Sequence, residues 1–89
     1  MLKREILICN KLGLHARAAA KLVTLATQFS ADVFLHLDDK KVNGKSIMGV
    51  MMLAAGKGTQ LMLCAEGEDE QEAIDAIEQL VKNRFDEEC

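Results

Sequence analysis

The chain has 89 residues, a formal charge of −3 and 49 % hydrophobic residues, with Phe as its only aromatic type. That size and composition give one domain, spanning 1–89, around a single aliphatic core filled by alanine and methionine, and exclude a second domain or a deep active site. Neutralising nucleic-acid phosphates takes a clustered basic surface and stacking aromatics, neither of which is present, so a nucleic-acid partner is excluded as well.

Leu2 to Ile8 reads as a strand, with Leu2, Ile6 and Ile8 on one side of the pleat and Lys3 and Glu5 on the other, although Arg4 and Leu7 break the alternation. Asn10-Lys11-Leu12-Gly13 is a turn. A helix follows with Ala16, Ala19, Ala20, Val23, Ala26 and Phe29 as its apolar stripe and Lys21, Thr24 and Gln28 turned away. Asp32 to Leu37 alternates again, and Asp38-Asp39 turns it into the short segment Lys40 to Asn43, which predicts a hairpin. Ser46 suits the cap of a short helix from Ile47 to Leu53. Thr59 to Ala65 forms a fourth strand, its Leu61, Leu63 and Ala65 facing opposite to Gln60, Met62 and Cys64. Asp69 with Glu72 three residues on resembles a capping box opening a last helix, whose apolar stripe is Ala73, Ile74, Ile77, Leu80 and Val81.

The order β-α-β-β-α-β-α predicts an α+β fold, an open-faced β-sandwich with a four-stranded antiparallel sheet and three helices on one face. A β-α-β opening crosses over right-handed and leaves a slot in the sheet that a later strand fills.

The chemistry concentrates at Gly13-Leu14-His15-Ala16-Arg17. The first turn of a helix presents unpaired N–H groups and a partial positive charge, and an arginine there adds a fork of charged donors, so this turn suits a phosphoryl group. A neutral imidazole beside it is the nucleophile that receives the group. The backbone amides of Ala16 and Arg17 are the candidate phosphate donors, and Gly13 lets the chain turn so that the ring lies over the helix end. His36 stands in the polar register of the second strand and carries a structural reading only. Ile47, Met48, Met51 and Met52 are candidates for a partner surface, because so short a helix cannot bury all its apolar residues and flexible thioethers repack against several partners.

Cys9, Cys64 and Cys89 form no C-x-x-C pair, so neither a disulfide framework nor a zinc knuckle is indicated, and no metal site or cofactor is expected. There is no run of eighteen apolar residues and no signal-peptide pattern at Met1-Leu2-Lys3-Arg4-Glu5, so the expectation is a cytoplasmic protein without membrane insertion.

Gly13-Leu14-His15-Ala16-Arg17, Lys45-Ser46-Ile47-Met48-Gly49-Val50-Met51, Ala55-Gly56-Lys57-Gly58 and Gly67-Glu68-Asp69-Glu70, in this order, resemble HPr, the histidine-containing phosphocarrier family of the bacterial phosphoenolpyruvate-dependent sugar phosphotransferase system. The resemblance implies that His15 accepts a phosphoryl group on Nδ1 from the first enzyme of that system and hands it to sugar-specific EIIA-type domains. It implies a stoichiometric carrier, expected as a monomer, rather than an enzyme. It also matches Arg17 to the family's phosphate-contacting arginine and Ser46 to the serine that some bacteria phosphorylate, which brings an HPr kinase/phosphorylase and a transcriptional regulator among the implied partners. One departure is Ala18, where the family usually carries proline, and it predicts a slightly looser helix start. Asn83-Arg84-Phe85-Asp86-Glu87 looks like the nitrogen-regulatory branch of the family, whereas Lys45 to Val50 looks like the sugar branch. A rival of another class, a small hydrolase of acylphosphatase type using Arg17, resembles the chain poorly because the looped arginine motif of that class is absent.

Overall fold

The computed structural model describes residues 1–86, so Cys89 and Glu87 lie outside the described residues. Strands β1 (Leu2–Leu7), β2 (Asp32–Leu37), β3 (Lys40–Asn43) and β4 (Gln60–Glu66) alternate with helices α1 (Ala16–Ala26), α2 (Ile47–Met52) and α3 (Glu70–Lys82), and a last 3-10 turn covers Arg84–Asp86. The sheet runs β1-β4-β2-β3 with every neighbour antiparallel. β4 fills the slot between β1 and β2, as the crossover requires.

Period-two alternation sorts the sheet. Ile6, Leu61, Leu63, Ala65, Val33 and Leu35 point to the helices and are buried. Arg4, which spoils the pattern in the sequence, stands on that same side because its guanidinium donates to Asp75 at 2.9 Å and to Glu78 at 3.0 Å, both on α3. The two carboxylates hold the Arg4 pKa above its ordinary value, the Asp75 hydrogen bond contributing most.

Several expectations are corrected. The buried arc of α1 is Ala18, Ala19, Leu22, Val23 and Ala26, whereas Ala16 is exposed and Ala20 half-buried. Small alanines carry little directional signal, and the fully buried Leu22 fixes the face instead. Cys64, expected in the polar register, is 2 % exposed, because on the open face it is enclosed between β1 and β2, opposite Lys3 and Phe34.

The capping box at Asp69 does not form. Asp69 precedes α3 but makes no side-chain cap bond. Its carboxylate instead accepts the amides of Ser30 and Ala31, each at 2.8 Å, tying the α1–β2 loop to the start of α3. Those N–H donors, Ser30 first, hold its pKa below the ordinary aspartate value. Glu70, not Glu72, reaches back, accepting from the Gly67 amide at 3.1 Å.

Candidate phosphoryl-acceptor site

The site lies where α1 meets the loop after α2. Asn10 is fully buried and its side-chain amide donates to the Gly13 carbonyl at 2.8 Å, while the Gly13 amide donates back to the Asn10 carbonyl at 3.2 Å. The turn so closed places Gly13 at φ +67, and a Cβ there would run into the Ala55 carbonyl and lie 2.7 Å from Gly56 Cα. Leu14 then donates to that Ala55 carbonyl at 2.9 Å. The chain is thus pinned on both sides of Gly13 before it delivers His15.

His15 is the N-cap of α1, extended at φ −74 and ψ 179, and its side chain makes no cap hydrogen bond. Its carbonyl accepts the first intrahelical bond, from Ala19 at 2.8 Å. The helix itself therefore supplies no acceptor for the amides of Ala16, Arg17 and Ala18. Its first turn holds no acidic residue that would compete for an anion. The imidazole is half-buried and Arg17 is exposed in the first turn of α1. Arg17 also borders a groove of about 440 Å³ along α1, shared with Lys21, Leu25, Leu80 and Asp86. A half-buried imidazole, free-standing helix amides and a guanidinium make an anion cradle with a nucleophile at its rim.

Ser46 caps α2 as the sequence predicts, its Oγ accepting from the Gly49 amide at 3.1 Å. α2 buries only Val50 of its own residues. Ile47, Met48, Met51 and Met52 stay exposed, at 43, 72, 39 and 71 %. These are the four partner-surface candidates the sequence offers, left outside the core by a helix too short to hide them. α2 packs against α1 and its following loop is bonded to Leu14, so the apolar patch and His15 belong to one end of the molecule. His36 is elsewhere, on the open face of the sheet opposite Met62 and Lys41.

Ala18 is fully buried, and α1 still begins at Ala16 without proline. The carboxyl-terminal stretch carries a structural load: Arg84, Phe85 and Asp86 all have positive φ, Phe85 is fully buried, and Lys21 Nζ clamps its carbonyl at 2.7 Å.

The family model for the PTS HPr component phosphorylation site matches residues 2–83. The HPr of Pseudomonas putida is 59 % identical over 94 % of each chain. The phosphocarrier protein NPr of Shewanella violacea is 46 % identical over 97 % of this chain and 94 % of its own. A crystal structure of HPr-C-His from Thermoanaerobacter tengcongensis superposes with a TM-score of 0.96 at 48 % identity, covering all of both chains. This chain belongs to the HPr family, the phosphocarriers of the phosphotransferase system.

Proposed function

We propose that His15 is the residue on which this carrier holds its phosphoryl group. The observation that carries the reading is the start of α1: an N-cap imidazole that makes no cap hydrogen bond to the helix, with the amides of Ala16 and Arg17 and the Arg17 guanidinium beside it. The neutral ring attacks phosphorus with Nδ1, forming the N–P bond as the bond to the donor nitrogen of the first enzyme breaks. The reverse sequence delivers the group to an EIIA-type acceptor. Arg17 and the amides of Ala16 and Arg17 stabilise the charge on the transferring oxygens, and no cofactor takes part.

In this reading the protein is a stoichiometric cytoplasmic carrier, not an enzyme, and serves its partners as a monomer. Among the described residues no helix is long and apolar enough to cross a membrane. The exposed Ile47, Met48 and Met51 form the docking surface, and Ser46 at its edge is the position where a kinase/phosphorylase regulates docking and a transcriptional regulator senses the result.

Incubation with phosphoenolpyruvate and the first enzyme of the system, read by intact mass, is expected to add one acid-labile, base-stable phosphate to the wild type and none to His15→Ala. Acid-labile phosphate on the alanine variant, or modification of His36, would overturn the assignment. A nitrogen-regulatory role is the second reading, favoured by the likeness to NPr. Comparing phosphorylation rates with the first enzymes of the two branches separates them.

A further inference from the structure

We propose that the free edge of β1 pairs antiparallel with β1 of a second copy of this chain, joining two sheets into one through a two-fold axis at Arg4. β1 is an outer strand of the sheet. Its Ile8 amide donates to Thr59 at 2.9 Å and its Ile8 carbonyl accepts from Gly58 at 2.7 Å, so Ile8, and every second residue before it, turns its backbone groups towards β4. The backbone groups of Lys3, Glu5 and Leu7 then point outward, and all three residues are exposed.

Hydrogen-bonded pairing of two such edges allows only registers that set odd residues against odd. Setting Lys3 against Lys3 or Glu5 against Glu5 opposes like charges. Setting Lys3 against Glu5 gives two opposite-charge pairs on the open face, each exchanging both of its backbone hydrogen bonds. The same register brings Leu7, half exposed, against the exposed Met1 side chain. It places Leu2 of the second copy opposite Ile6, beside a crevice of about 340 Å³ lined by Ile6, Cys9, Glu78 and Val81. Arg4 then faces Arg4 across the axis, but each already holds Asp75 and Glu78, which offsets the repulsion.

The opposite edge shows the contrast. β3 is four residues long and carries Lys40 and Lys41, the short cationic edge that discourages pairing. A six-residue strand pair falls short of the ~1,200 Å² of a stable interface, so the β1 pair is transient, in the range of roughly 10 µM to 1 mM. It leaves the dilute carrier monomeric.

Sedimentation equilibrium up to about 2 mM tests the pairing, with Lys3→Glu, Glu5→Lys and the double reversal. The expected result is a wild-type dimer, about tenfold or greater weakening in each single variant, and return to within about threefold in the double variant, with amide exchange at Lys3, Glu5 and Leu7 slowed only at high concentration. A monomer at every concentration overturns the proposal. So does a dimer indifferent to all three variants, which is the behaviour of exchanged β1 strands, where Lys3 stays opposite Cys64, or of contact through α2.

Discussion

Helices α1, α2 and α3 each start on a residue whose side chain is able to bond the first turn, and α2 and α1 finish the job differently. Ser46 turns its hydroxyl onto the Gly49 amide and closes α2. His15 has the same extended backbone at the same position of α1 but leaves the first-turn amides uncapped. A closed start stabilises the helix by roughly 1 kcal/mol, whereas an open one forgoes that and keeps its donors for an external anion. The difference separates a structural cap from the proposed phosphoryl-acceptor site in one small domain, and the proposal calls for neither a pocket nor a metal.

The sharpest way to break the contrast is to give α1 the cap of α2. His15→Ser is expected to abolish phosphoryl acceptance while leaving stability unchanged or raising it by about 0.5–1 kcal/mol. Intact mass after exposure to the first enzyme, alongside urea unfolding, checks both halves. A variant that loses stability would show that the imidazole supports the fold.

Gly13→Ala comes next. Positive φ and collision with the Ala55 carbonyl act together at this position, so the loss is expected at about 2–3 kcal/mol, with a steep fall in transfer as the Leu14–Ala55 bond is disturbed. Urea midpoints and initial transfer rates measure it. An effect below about 0.5 kcal/mol would mean that the pin does not hold His15.

At Ser46 the two roles come apart by substitution. Ser46→Ala removes the cap and is expected to cost about 1 kcal/mol with little change in transfer. Aspartate retains a cap acceptor, so Ser46→Asp is expected to keep the fold yet raise the carrier concentration needed for half-maximal phosphorylation, less so at high salt. Rates against carrier concentration at two ionic strengths decide it; an unchanged half-saturation would detach Ser46 from the docking surface.

Much of this was legible because the relevant signals are local. Strand alternation, the cap at Ser46 and the crowding of apolar residues on a six-residue α2 all depend on neighbours within a turn or two. What the sequence hid were contacts between distant segments. Asp69 looks like the cap of its own helix but serves Ser30 and Ala31, which lie nearly forty positions earlier and offered two aligned donors. Arg4 reads as a flaw in β1 until α3 brings Asp75 and Glu78 over it. Phe85 reads as part of a branch signature, yet it closes the core through a left-handed turn that no pattern announces. The same holds at the site: the His15–Arg17 spacing is written in the chain, but the clamp of Asn10, Gly13 and Ala55 that sets its direction appears only on folding.

The smallest expected effect concerns Ala18. The residue sits at the third helical position of α1, where the amide has no acceptor within the helix, so proline there forfeits no intrahelical hydrogen bond. Its fixed φ lowers the entropy of the unfolded chain, and Ala18→Pro is expected to raise stability by about 0.4–1 kcal/mol. Two features oppose it. Ala18 is fully buried, so the ring must find room against the core, and proline restricts the backbone of Arg17 just before it. If entropy dominates, thermal unfolding shifts upward by a few degrees and transfer from the first enzyme is unchanged, because Ala16 and Arg17 keep their amides. A lower midpoint would mean that alanine is here because the core beneath α1 is too tight for the ring.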